Sequence, residues 1–248
     1  MNDSLSKHSK KDNFTSKHHA VLFGLIIKNL LNDYGNEIED TIYKAVRIYG
    51  EQRGRRMALR ALKNNDPLDM KHYFIYSEWF EQDGPSKSKI VQFEPEYIVQ
   101  VEICSWCENW KAFNLFQIGK YYCHEIDKAI IRGFNPELRL EEPNILAYGD
   151  PCCEFIWKDA NFSKEDIEEI QTKTQQLRSQ VIASWGYHTG HIFKTLRETL
   201  IENHGKKVLS SIDRAVKEFE MLFGEDLKEL VKKFENVDFN TLEYFKQS

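Results

Sequence analysis

The sequence predicts an α+β fold: one antiparallel sheet of about four strands with helical pairs at both ends. Three observations lead there. Apolar residues recur at helical spacing up to about Leu62. From Tyr73 to Trp157 the chain turns rich in aromatic and β-branched residues that alternate with polar ones. Helical patterns then return from Ser163 to the end. Residues 1–17 are polar and slightly basic (Lys7, Lys10, Lys11, Lys17) and read as a disordered leader, with a single α+β domain over 18–248. The C-terminal helical pair is placed at about 181–245.

In the first helix Phe23, Ile26, Ile27, Leu30, Leu31 and Tyr34 share one face, and Gly35 ends it. The second carries Ile38, Ile42, Ala45 and Tyr49 and runs to about Leu62, where Asn64-Asn65-Asp66-Pro67 breaks it. Tyr73–Phe80 reads as a strand, Asp83-Gly84-Pro85-Ser86 as a turn, and Ile90–Ile103 as a half-buried strand. A helix is expected from about Trp110 to Ile131, ending at Gly133. Leu138–Ala147 and Cys153–Trp157 read as strands around a Gly149-Asp150-Pro151 turn. An offset of 170 residues aligns His18 with His188, Phe23 with Phe193, Leu30 with Leu200 and Gly35 with Gly205. The same offset pairs Ile42, Ala45 and Val46 with Ile212, Ala215 and Val216. This is either a duplicated helix pair or the ordinary likeness of two amphipathic pairs joined by glycine.

Bulk properties remove several functions. A net charge of −5, from 34 basic and 39 acidic residues with no basic stripe, argues against nucleic acid as a partner. Ala20–Ile27, the longest apolar stretch, is too short to span a bilayer. An odd number of cysteines without an export signal points to the cytoplasm and reduced thiols. There is no Gly-rich phosphate loop, no Gly-x-Ser-x-Gly elbow and no dinucleotide fingerprint, and no cofactor is expected.

Chemistry concentrates between Cys104 and Trp157, which hold all five cysteines. At ~100° per residue, Phe116, Cys123, Asp127, Ile130 and Phe134 fall on one stripe, so Asp127 lies on an apolar face. A carboxylate there must be paired or change its pKa. It either bonds a helix end or an arginine, or it serves a reaction near Cys123. On the second helix the buried stripe continues into Arg53, Arg56 and Arg60, which form either a carboxylate-binding pocket or a solvated helix end. Arg47 and Arg55 lie off it and read as surface. His188 and His191, one turn apart, suit a general base or simple packing. Cys104-x-x-Cys107 with Cys123-His124 resembles half a zinc site, but no second ligand pair follows and no metal is assigned.

At these residues the chain resembles the L-2-amino-thiazoline-4-carboxylate hydrolase family. The likeness rests on Tyr49-Gly50 with Arg53-Gly54-Arg55-Arg56-Met57, Cys104 with Trp106, and Tyr122-Cys123 with Asp127. It continues through Gly133-Phe134-Asn135-Pro136, Gly149-Asp150 with Cys153-Glu154-Phe155, and Trp185 with His188 and His191. The ordered set spans most of the chain beyond the leader; Cys107 and Cys152 fall outside it.

The resemblance implies hydrolytic opening of a 2-amino-thiazoline ring, or a related cyclic amidine, to an N-carbamoyl-cysteine-type product. Cys104, Cys123, Cys153, Asp127 and His188 are then the candidate catalytic residues. Arg53, Arg56 and His191 would bind a small-molecule substrate through its carboxylate. One route uses Cys123 as nucleophile, with His188 taking its proton and Asp127 holding the amidinium. The other has His188 or Asp127 activate water. The element order also resembles 4-vinyl reductase-type domains and the small subunits of the TRAPP tethering complex, an analogy of fold alone. It supplies the first rival function, a non-catalytic small-molecule sensor or carrier. A cysteine-based metal-handling protein is the second. A homodimer is left open.

Overall fold

A computed structural model describes residues 13–79, 84–224 and 227–242. Much of the expected leader therefore lies outside the described residues. Its end does not: the first helix, α1, spans Ser16–Tyr34 and is opened by Thr15, whose N–H donates to the His18 ring (3.1 Å). A 3₁₀ turn, Gly35–Ile38, leads into α2, Glu39–Lys63. Near the C-terminus the same unit recurs as α8 (Trp185–His204), a 3₁₀ turn at Gly205–Val208, and α9 (Leu209–Phe223). The 170-residue offset seen in the sequence superposes these boundaries. Both turn glycines take positive φ, 57° at Gly35 and 71° at Gly205, the region that favours glycine.

The two pairs pack on each other, α1 against α9 and α2 against α8. Their polar contacts are exchanged in the same way. Lys44 reaches Asn203 (3.4 Å), and Arg214, its counterpart, reaches Asp33, the counterpart of Asn203. The copies diverge at their ends. α2 continues through the arginine stripe to Lys63, whereas α9 stops at Gly224 in the left-handed conformation.

Four strands form one open antiparallel sheet in the order β1-β2-β4-β3. They are β1 (Lys87–Gln92), β2 (Tyr97–Ile103), β3 (Leu140–Asn144) and β4 (Cys153–Trp157). The strand expected over Ile90–Ile103 is thus a hairpin, and its first arm leaves Ile90 and Val91 exposed at the sheet edge. Leu138–Ala147 yields β3 and then a 3₁₀ turn, Leu146–Tyr148. Gly149 (φ 95°) and the Asp150 carboxylate, which accepts from Ile145 N–H at 2.8 Å, turn the chain back into β4.

Two expectations are corrected. Tyr73–Phe80 holds no strand among its described residues; Met70–Ile75 is a short helix, α3, capped by Asp69, which accepts from His72 N–H at 2.9 Å. Its aromatics reflect packing, Tyr73 on Phe134 and Phe74 on Trp157, rather than extended backbone. The helix expected over Trp110–Ile131 is broken into α4 (Ser105–Ala112), α5 (Lys120–Cys123) and α6 (Ile126–Phe134). Asn114 at φ 57° interrupts it first, and the Glu125 carboxylate, gripped by Arg47 at 2.9 and 3.0 Å, marks the second break. The remaining helices are α7 (Lys164–Val181) and α10 (Leu227–Phe234).

α6 lies very close to α2. A Cβ at Gly54 would overlap the Ile130 carbonyl oxygen, one at Gly133 the Glu51 carbonyl oxygen, and one at Gly50 would meet the Ala129 side chain. Only hydrogen side chains permit this approach. No helix among the described residues is long and apolar enough to cross a membrane.

Candidate active site

Where α4, α5 and α6 meet the sheet, a cavity of about 220 Å³ opens. Cys104, Cys123, Cys153, Asp127 and Glu142 line it together with the aromatic side chains of Trp79, Trp106, Tyr122 and Phe155. Ser86 and Ser88, both exposed, form part of its rim. Each sulfur arrives on a different element: Cys104 caps α4, Cys123 ends α5 and Cys153 begins β4. No disulfide joins any of the five cysteines.

The thiols sit in surroundings that hold them protonated. Burial pushes Cys123 well above an ordinary thiol, and the neighbouring Cys104, Cys153, Asp127 and Glu142 add to it. Cys153 is pushed up to about 12 by burial, although its sulfur accepts from Leu146 N–H at 3.3 Å. Cys107 lies behind Cys104 and hydrogen-bonds it, which with burial raises Cys107 strongly.

The carboxyls differ from ordinary ones in the same direction. Burial lifts Asp127 to about 6 against the pull of Arg53 and Lys128. Glu142, whose side chain is only 3% exposed, rises to about 8 through burial and the charge of Asp127. Lys128 approaches one Glu142 oxygen from the solvent side at 3.2 Å and offsets part of this.

The arginines expected to hold a substrate carboxylate stand elsewhere. Arg56 makes two bonds to Glu78, 2.9 and 2.7 Å, and Arg60 a third at 2.8 Å, with all three side chains buried. The Arg53 Nε lies 3.7 Å from Glu78, and its guanidinium stacks 4.2 Å from the Trp79 ring, whose indole lines the cavity. Two Arg53 nitrogens, Nε and Nη1, find no hydrogen-bond acceptor among the described residues. Arg53 and Arg56, expected to bind substrate, thus stand in a charged layer behind the wall rather than among the cavity-lining residues. As read from the sequence, Arg47 is exposed and paired with Glu125, and Arg55 is exposed.

The histidines belong to that same layer. No histidine lines the cavity among the described residues. His188 Nε2 is 3.4 Å from the Glu78 carbonyl oxygen, and His191 contacts Gln52 at 2.6 Å and stacks on Phe239. Burial and the positive charge of the arginines hold both neutral. Neither His188 nor His191 therefore shares the cavity wall with Cys123. His19 reaches the wall indirectly, 3.2 Å from the Tyr122 hydroxyl, and burial with Arg53 lowers it to about 3.

Sequence reasoning missed Glu78 and Glu142. Both left a signal. Three arginines on a core stripe require a buried countercharge. Glu142 shares strand parity with Leu140 and Asn144, the less exposed face of β3. The zinc arrangement does not assemble: His124 turns to Glu125 (3.2 Å) and Tyr43, and no three His, Cys, Asp or Glu side chains among the described residues come together as a metal site.

An α+β domain with thiols and carboxyls around one small cavity defines the class. The model of the L-2-amino-thiazoline-4-carboxylic acid hydrolase family matches residues 15–157, more than half of the chain, and the chain belongs to that family. The match contains every cavity-lining residue, whereas Trp185, His188 and His191 lie beyond it. No curated protein and no solved structure matches the chain.

Proposed function

We propose that this protein hydrolyses a 2-amino-thiazoline-type cyclic amidine that carries a carboxylate, with water as nucleophile and Asp127 as base. The observation that carries this reading is Asp127 itself: a half-buried carboxyl on the wall of a small cavity, held at about 6, poised to accept a proton near neutral pH. Its position also suits recognition, because an ionised carboxylate pairs with the amidinium of the ring. A cavity of about 220 Å³ is below the usual size for drug-like ligands and fits a five-membered ring.

The thiols favour packing and polarity over attack. A thiolate must form before it can act as a nucleophile, and Cys123 is pushed away from that form, with acidic neighbours and no lysine or arginine among the residues that line the cavity. For the substrate carboxylate, the first turn of α4 replaces the arginines. Its leading N–H groups have no intrahelical acceptor, no side chain caps them, and Cys104 and Trp106 bring them to the cavity. Two ionisable carboxyls on the wall weigh against a sensor or carrier of apolar ligands, which needs none.

The test is incubation of the purified protein with 2-amino-thiazoline-4-carboxylate, with thiol release followed by titration and the product identified by mass. Stoichiometric N-carbamoyl-cysteine supports the reading. An intact ring under all conditions overturns it.

A further inference from the structure

We propose that Glu142 is the acid partner of Asp127: the two carboxyls hold one proton between them in the cavity, and Glu142 delivers it to the ring sulfur as the C–S bond breaks. This rests on the hydrolase reading and assigns a second catalytic residue to the same site.

The argument begins with placement. β3 turns Glu142 inward on the parity of Leu140 and Asn144, and its side chain is 3% exposed. Asp127, in the first turn of α6, lines the same cavity. Two carboxylates sharing a desolvated space repel, and the lower-energy state keeps one proton. The other groups around Glu142 decide whether that repulsion is relieved. Cys123, Cys153, Tyr73 and Tyr148 bear on the cavity carboxyls and stay neutral when these ionise, because burial raises each of them. Two cations bear on the pair: Arg53, behind the wall, favours the ionised form of Asp127, and Lys128, its side chain 43% exposed and screened by solvent, approaches Glu142. The retained proton falls on Glu142, whose side chain is almost fully withdrawn from water, whereas Asp127 is half-buried and drawn toward its ionised form by Arg53.

The chemistry then balances. The ring enters as the amidinium, paired with the Asp127 carboxylate. Water adds to the amidinium carbon, forming a C–O bond, and its proton passes to Asp127. The C–S bond breaks as Glu142 gives its proton to the departing sulfur. The remaining hydroxyl proton returns to Glu142 as the carbonyl forms. One water is consumed, a thiol and a urea are produced, and the proton that entered on the amidinium leaves from Asp127. Two groups with separated proton affinities thus divide base and acid work, a pattern in which one carboxyl must stay protonated near neutral pH.

Two measurements test it, and the first needs no substrate. Infrared difference spectra on titration of the wild-type protein show a carboxyl band persisting at neutral pH and disappearing near pH 8; the Glu142→Gln protein lacks it. Absence of that band in the wild type overturns the pair, whatever the protein hydrolyses. The second is the pH profile of ring opening. The wild type loses rate as pH rises through about 8, whereas Glu142→Gln is slower by ~10²- to 10⁴-fold and loses that alkaline limb. An alkaline limb unchanged in the variant, or a rate within tenfold of the wild type, overturns the acid role. If the band is present but no ring is opened, the shared proton stands and the hydrolase reading falls.

Discussion

Arg56 holds Glu78 through two parallel bonds, 2.9 and 2.7 Å long, with both side chains fully removed from water. Burial alone would raise the Glu78 carboxyl, but Arg56 and Arg60 outweigh it and hold Glu78 well below the usual carboxylate range. Removing one partner strands buried charge, so Glu78→Gln is expected to cost about 3–5 kcal/mol in chemical denaturation at neutral pH. The sign with pH follows from the depressed value. Glu78 stabilises the fold fully above its unfolded value of 4.5, and that contribution is lost as pH falls below it. The variant should therefore show a flatter stability profile below about pH 5 than the wild type.

Gly54 sets the distance between α2 and α6 and hence the position of Asp127. A methyl group there would overlap the Ile130 carbonyl and force the helices apart. Gly54→Ala should lower stability by about 1–3 kcal/mol or more, as overpacking does. Thermal denaturation reads the stability, and the same preparation should lose ring-opening rate because α6 carries Asp127.

Cys123 should be a slow thiol. Because burial and its acidic neighbours keep it protonated, labelling by iodoacetamide at neutral pH should trail that of an exposed cysteine, as peptide mass mapping can show. Cys123→Ala should fold normally and keep more than about a tenth of the wild-type rate. A fall of several orders of magnitude would instead make that sulfur the nucleophile.

Much of this architecture was legible in the chain. The 170-residue offset located both helix pairs because duplicated packing leaves the same apolar positions, Ile42 with Ile212 and Ala45 with Ala215. Asp127 was legible as a carboxyl on an apolar stripe. The arginines were legible as a continuation of the buried stripe, with a pocket and a solvated helix end both open, but neither their burial nor their partner was. Glu78 sits among aromatics that resemble a strand and in fact pack as the short helix α3 and the segment after it. Glu142 looked like one of several acids in a strand, since parity shows only once the register is fixed. Helical spacing placed His188 and His191 beside an apolar face, but nothing in one helix reveals that Trp79 stands between His188 and the cavity.

The central claim is that Asp127 is a base held in an unfavourable place for the sake of the reaction. Its carboxyl, raised from 3.8 to about 6, contributes stability that is fully present below 3.8 and lost as pH rises through 6. The most direct measurement compares ring-opening rate and melting temperature of the wild type and Asp127→Asn at pH 7.5. The account predicts a rate lower by ~10²- to 10⁴-fold together with a higher melting temperature, because the buried charge is gone. A variant that keeps more than a tenth of the rate, or that melts lower while losing it, would contradict the account.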